Sequence, residues 1–143
     1  MNGNVIGLIG ILFVLSISFV PAFAIEELER ATINDPRLQQ WGFGGTILEN
    51  VNVNQQIQIS ADIKNNQDVS HNFVYIVQIK NEMDFVIFVG WISGQLTPNQ
   101  ELSTALSWIP DNSGRFTAEI FLWEALINHK ALTEYTTLQI NVS

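Results

Sequence analysis

The stretch Gln56–Lys64, QIQISADIK, decides the fold class, because its apolar side chains recur at every second position. In an extended segment, Ile57, Ile59, Ala61 and Ile63 share one face, and polar side chains occupy the other. This alternation is typical of a half-buried antiparallel strand. We therefore predict a strand that packs one face against a second layer.

Similar segments lie on both sides of this strand, separated by turns rich in Gly, Pro, Asn and Asp. Segment 73–80 is apolar on both faces, which predicts a strand that is central in its sheet or covered on its outer side. About seven strands without helical periodicity favour two packed antiparallel sheets. The other predicted strands are a short one after the glycines at 42–45, then 85–91, 102–108, 115–123 and 136–142.

The N-terminal 24 residues predict export. Residues 5–20 form an almost unbroken apolar run, and Pro21–Ala24 has the small-x-small pattern of a signal-peptide cleavage site. If the leader is retained, roughly twenty apolar residues are just long enough to span a bilayer as one helix. In both cases we expect the rest of the chain outside the cytoplasmic membrane, secreted or in the cell envelope, with membrane contact only through residues 1–24 if they stay attached.

Residues 25–44 are predicted to form a linker or a short helix. Charged and helix-forming residues are dense in the first part of this segment, and Asn34-Asp35-Pro36 would end a helix. The predicted organisation is therefore a leader over 1–24, this connecting segment, and a β-sandwich over 45–143.

Composition excludes several kinds of function. The chain has 14 acidic and 6 basic residues, with a formal net charge of −8. Because such a surface repels phosphate and the basic residues are scattered singly, we expect no nucleic-acid partner. The absence of cysteine removes thiol nucleophiles, disulfides, iron–sulfur clusters and copper sites of the His₂Cys type. We expect no cofactor.

Three stretches resemble immunoglobulin-like sandwiches of the fibronectin III and CARDB type: 57–65 (IQISADIKN), 73–81 (FVYIVQIKN) and 110–124 (PDNSGRFTAEIFLWE). The resemblance covers roughly residues 45–143, and the chain is also similar to small secreted domains of archaeal cell envelopes. It implies an all-β, two-sheet antiparallel immunoglobulin-like sandwich. The sequence departs from antibody-type domains at Phe116, which lacks the hydroxyl of a tyrosine corner, and in having no cysteine pair.

No residue pattern predicts a catalytic or metal site. His71 and His129 lie in polar segments far apart in the sequence, whereas a metal site needs converging ligands. Ser93 in the GWISG motif is displaced by one position from that of a nucleophile elbow, and no helical segment follows. Asn141 begins a glycosylation sequon at the end of the sequence, and whether it is modified stays open.

The apolar excess predicts a contact surface instead. If alternate residues of their strand fill the core, Phe121 and Trp123 face outward beside Val74 and Ile76 of the neighbouring strand. These four residues are the predicted interaction face, because outward apolar patches mark contact surfaces on soluble proteins. The alternative is that the segment 126–135 folds over them.

These patterns favour a noncatalytic extracellular module for protein interaction or envelope structure, such as an accessory subunit of a membrane complex. Its expected partner is another envelope or membrane protein or a second copy of the chain. The alternative is a domain that binds a carbohydrate or small solute, with Trp41, Trp91 or Trp108 stacking on the ligand. The partner's identity and the oligomeric state stay open at this point.

Overall fold

The computed structural model describes residues 26–42 and 44–143, and within them the regular structure is all-β. The predicted leader, residues 1–24, lies outside this part of the chain. No helix in the described ranges has the length and apolar character needed to cross a membrane. The strands are β1 (Ala31–Gln40), β2 (Ile57–Asn65), β3 (His71–Lys80), β4 (Val86–Leu96), β5 (Glu101–Trp108), β6 (Gly114–Trp123) and β7 (Thr136–Val142).

The strands form two sheets that share one core. The three-stranded sheet has the order β1-β2-β5, and the four-stranded sheet has the order β4-β3-β6-β7. All pairings between these strands are antiparallel. The predicted two-sheet antiparallel sandwich is therefore confirmed, as is the central position of β3.

The prediction of a linker or short helix over residues 25–44 is wrong, because residues 31–40 form the edge strand β1. β1 pairs with β2, and a register shift lies between Asn34 and Arg37. Pro36 falls within this irregularity, where a missing N–H costs no regular ladder hydrogen bond. The sandwich therefore begins well before residue 45.

Two other strand limits differ from those predicted. The short strand expected after the glycines is reduced to a bridge between Ile47 and Gln39. β4 continues to Leu96, five residues beyond its predicted end, because it stays paired with β3 as far as His71. The longer β4 forms one edge of its sheet.

The core contains the predicted inward residues of β2 and β6, together with alternate residues of β3. Tyr75 of β3 is fully buried among them. Its hydroxyl donates a hydrogen bond to the carbonyl oxygen of Ile59 in the other sheet, at 3.3 Å, and burial raises the pKa of its phenol. The Tyr75 side chain thus links the two sheets through the interior.

One long side of the sandwich, where β1 and β7 come together, is joined by backbone hydrogen bonds; we call it the closed side. Leu132 donates to the carbonyl of Leu122 in β6 at 2.9 Å, and its own carbonyl accepts from Ala31 in β1 at 3.1 Å. The loop before β2 also runs along β7, where Val51 forms a parallel bridge with Val142. Backbone contacts therefore connect the sheets and cover part of the β7 edge.

The opposite long side has no such connection within the described residues, and we call it the open side. β4 and β5 are edge strands of their respective sheets. Leu102 of β5 lies opposite the buried Ile63 of β2 and faces inward, yet it is 39% exposed. The core therefore reaches the solvent between β4 and β5.

Candidate functional site

The predicted interaction face is covered at its centre. Val74 and Ile76 are only 5% and 7% exposed, so the expectation that they lie on the surface is wrong. Val74 lies opposite Trp123, and Ile76 lies opposite Phe121. Because β3 has a neighbouring strand on each side, large side chains from both neighbours flank these two residues.

The β6 half of the predicted face is covered by the following segment. The ring of Tyr135 stacks on that of Phe121 at 5.2 Å between centroids. The ring of His129 packs edge-on against that of Trp123 at 5.4 Å, and Trp123 forms a bridge with Ala131. The segment 126–135 thus folds over this end, as in the alternative weighed from the sequence.

A group of large exposed apolar side chains lies instead on and just before β4. Val89 and Trp91 point to the outside of the four-stranded sheet and are 50% and 54% exposed, and Trp91 lies directly opposite the covered Ile76. We call the exposed apolar set on and just before this strand the β4 surface. Its members are Phe85, Val86, Ile87, Val89, Trp91 and Ile92.

The sequence contained a signal for the β4 surface. Residues 85–92, FVIFVGWI, are apolar without interruption, and β4 as a whole carries no charged side chain and no proline. An apolar run also suits a strand buried on both faces. The exposed position of β4 follows from the strand order, which brings β4 to the edge of its sheet.

The three tryptophans proposed to stack on a ligand do not converge. Trp41 follows β1 and is exposed, and Trp91 lies on the outer side of β4. Trp108 ends β5 and is buried, with its ring edge-to-face against that of Phe116 at 5.3 Å. These residues therefore cannot form one aromatic platform.

A cleft of about 880 Å³ opens at the end of the sandwich where β4 begins and β5 ends. Its lining includes the aromatic rings of Phe88, Trp108 and Phe116. At the rim, the guanidinium Nε of Arg115 donates to a carboxylate oxygen of Glu82 at 3.2 Å. The cleft thus combines an aromatic wall with a charged rim.

The outer side of the three-stranded sheet is polar, and we call it the polar face. The carboxylate of Asp62 accepts hydrogen bonds from the hydroxyl of Ser103 and, at 3.1 Å, from the guanidinium of Arg37. These two hydrogen bonds lower the pKa of the Asp62 carboxyl. Next to them, the hydroxyl of Ser60 donates to the side chain of Gln39 at 2.8 Å. The polar face therefore satisfies many of its polar groups internally.

Ionisable groups elsewhere are not gathered into a reactive centre. Among the described residues, no three His, Cys, Asp or Glu side chains are placed to hold a metal ion together. Lys80 donates to Glu119 at 3.0 Å, and this hydrogen bond raises the pKa of the lysine ammonium. His71, at the start of β3, contacts the backbone carbonyl of Asn72, whereas His129 packs against Trp123.

Comparisons with known proteins find structures of similar fold but no matching sequence family. No family model matches the chain, and no curated protein sequence matches it. The C-terminal domain of Wzt has a similar structure, with a TM-score of 0.60 and 14% identity over 80% of this chain and 74% of that one. The CARDB domain of PF1109 from Pyrococcus furiosus is also similar, with a TM-score of 0.52 and 17% identity over 79% of this chain and 94% of that one. This chain is an immunoglobulin-like β-sandwich.

Immunoglobulin-like domains also occur as parts of larger proteins, and a β-glucuronidase of glycoside hydrolase family 2 contains a similar region. That match has a TM-score of 0.55 and 9% identity over 80% of this chain, but the chain spans only 11% of the enzyme's length. At such low identity the likeness is one of fold, because unrelated functions share this architecture. The enzyme's chemistry therefore does not transfer.

The strand partition separates this sandwich from the immunoglobulin constant type. In a constant domain, the fourth strand belongs to the sheet of the first, second and fifth strands. Here β4 pairs with β3 instead, which leaves β5 as the edge of the three-stranded sheet and β4 as the edge of the four-stranded sheet. This arrangement creates the open side and exposes the β4 surface.

Proposed function

We propose that this immunoglobulin-like domain is a noncatalytic protein-interaction module that acts outside the cytoplasmic membrane and makes its contact through the β4 surface. The observation that carries the proposal is the set of six large exposed apolar residues on and just before one edge strand. Val89 and Trp91 point to its outer side, and Ile92, opposite Tyr75, points to its inner side at the open edge. Scattered apolar side chains are normal on a protein surface, but contiguous patches of this size mark contact sites.

The backbone of β4 adds a second binding element. Within the described residues, β4 pairs with β3 alone, so the N–H and C=O groups on its other side are free to bind a further strand. Edge strands usually carry proline, lysine or other charged residues that prevent such pairing, and Val86–Leu96 has none of these. A partner polypeptide could therefore combine backbone hydrogen bonds with apolar contacts.

The extracytoplasmic setting rests on the N-terminal sequence. The apolar run at 5–20 and the small-x-small pattern that ends at Ala24 support export. The candidate partners in that setting are another envelope or membrane protein and a second copy of the chain. The net charge of −8 favours solubility. The uncharged β4 offers a region where charge repulsion does not oppose contact with a partner.

Photocrosslinking in the native envelope tests this function. A photoreactive phenylalanine analogue at position 91 is expected to yield covalent protein adducts, because Trp91 projects from the β4 surface. The same analogue at position 103, on the polar face, is the matched control and should yield few. Absence of adducts from position 91 and from position 89 would overturn the proposal.

The cleft supports a second candidate, which is binding of a small solute or carbohydrate. Its volume of about 880 Å³ lies in the range of small-molecule sites. Trp108 is the tryptophan that lines it, so the indole N–H resonance of Trp108 is the probe. Titration with envelope oligosaccharides should shift that resonance and leave that of Trp41 unchanged. An unchanged Trp108 resonance at high ligand concentration would exclude this candidate.

A further inference from the structure

We propose that the occupant of the β4 surface is a second copy of this chain, whose β4 pairs antiparallel with the first β4 across a two-fold axis. This inference rests on the proposed function and names the partner. It predicts one continuous eight-stranded sheet built from the four-stranded sheets of two molecules. The case depends on the symmetry, charge and exposed area of β4.

Symmetry permits this pairing of the strand with a copy of itself. Two identical strands in an antiparallel pair are related by a two-fold axis, so that each contact occurs twice. Val89 and Trp91 point to the same side of the sheet. With the axis at residue 89, 90 or 91, one of these outward side chains lies opposite itself or the other one in the second copy. Two exposed apolar patches then become one.

Charge does not oppose the pairing, although the whole chain is strongly acidic. β4 has no charged side chain, and the nearest acidic residues in sequence are Asp84 before it and Glu101 after it. With the axis near residue 90, Asp84 of one copy lies near the uncharged stretch 96–98 of the other. The pairing therefore brings together two strand edges that carry no charged side chain.

The β4 surface also supplies apolar side chains at the paired edge. Its six large side chains are between 37% and 63% exposed, and those that lie next to the second copy lose part of this exposure when the two strand edges pair. Free backbone groups along β4 would add hydrogen bonds to these contacts. A second copy supplies both apolar side chains and free backbone groups, on a strand of the same length.

Disulfide trapping tests the pairing, because the chain has no cysteine of its own. Three variants of the exported, purified protein cover the possible axes: Val89→Cys, Trp91→Cys, and the double substitution. Residues that face each other across an antiparallel pair are close enough for a disulfide. We expect efficient covalent dimers from at least one variant. Ser103→Cys, on the polar face, is the control and should remain monomeric.

Light scattering supplies the independent measurement. The wild-type protein should have twice the monomer mass at micromolar concentration, and Trp91→Lys should have the monomer mass with an unchanged far-ultraviolet spectrum. Ile127→Lys changes another apolar residue, which is 95% exposed in the loop after β6, and should leave the dimer intact.

The outcomes separate this inference from the function on which it rests. A monomeric wild-type protein with no trapping at positions 89 or 91 would overturn the second copy as occupant. If photocrosslinking at position 91 then still gave adducts with a different protein, the interaction function would stand without the dimer. If neither experiment gave a product, both would be wrong.

Discussion

On the closed side, the backbone of Leu132 connects β6 to β1, whereas on the open side β4 and β5 approach each other without a backbone hydrogen bond among the described residues. Both sides use strands with apolar inward positions. The difference teaches that the strand pattern builds the layers, while the segments between strands decide which edge is covered and which stays open.

The largest expected difference comes from the same substitution made on each side. Leu132→Ala empties a fully buried position and should lower the free energy of unfolding by about 2–5 kcal/mol. Leu102→Ala removes a side chain that is already partly in solvent and should cost less than about 1 kcal/mol. Urea unfolding at low protein concentration measures both. Equal losses would show that the open side is as well packed as the closed one.

A matched pair of arginines gives the next largest effect. On the closed side, Arg30 donates to the carbonyl of Ala131 at 3.1 Å and to the carboxylate of Glu124 at 3.4 Å. Arg30→Met should therefore cost about 1–2 kcal/mol. Arg115→Met breaks the exposed pair with Glu82 at the cleft rim and should change stability by less than about 0.5 kcal/mol.

The result for the arginine pair is read from thermal unfolding of the two variants beside the wild type. A loss at Arg115 as large as that at Arg30 would contradict the distinction between a part-buried contact that joins segments across the closed side and an exposed ion pair at the cleft rim. It would also indicate that the cleft rim contributes to folding.

The smallest effect concerns Asp62, whose contacts link the edge strands of both sides. Because its hydrogen bonds lower the pKa of this carboxyl in the folded state, its stabilising contribution is present above the unfolded pKa of about 4 and is lost as the pH falls through the folded value. Asp62→Asn should cost less than about 1 kcal/mol at pH 7, and this cost should be smaller at pH 2.

Chemical unfolding at both pH values measures this effect, with Glu49→Gln at an exposed loop position as the control. A cost for Asp62→Asn that is as large at pH 2 as at pH 7 would mean that the amide disturbs the polar face by shape rather than by charge. The link between β1 and β5 would then not depend on ionisation.

The sheet architecture could be predicted from sequence because face alternation is a local property. Ile57 to Ile63 and Phe116 to Leu122 show it without interruption, and each of these strands is buried on one side. β1 was missed because its register shift breaks the alternation. Arg37, one of the charged residues of this segment, is held on the outer side by Asp62.

The contact surface could be predicted only in part, because exposure depends on neighbours that are distant in sequence. Val74 and Ile76 are covered since β3 lies between two other strands. Trp91 was singled out as a ligand platform, and the structure places it on the apolar β4 surface instead. Neither fact follows from a pattern within one strand, since both require the order of the sheet.

The loop that runs along β7 determines how far self-association through β4 can proceed. Val51 occupies the far edge of the four-stranded sheet by bridging Val142, and Ser143 donates to the Val51 carbonyl at 2.9 Å. A sheet extended through β4 therefore meets an obstructed border at both distal ends. In the proposed dimer, growth would therefore stop at two molecules, and the contact that could seed a fibre would give a closed particle of fixed size.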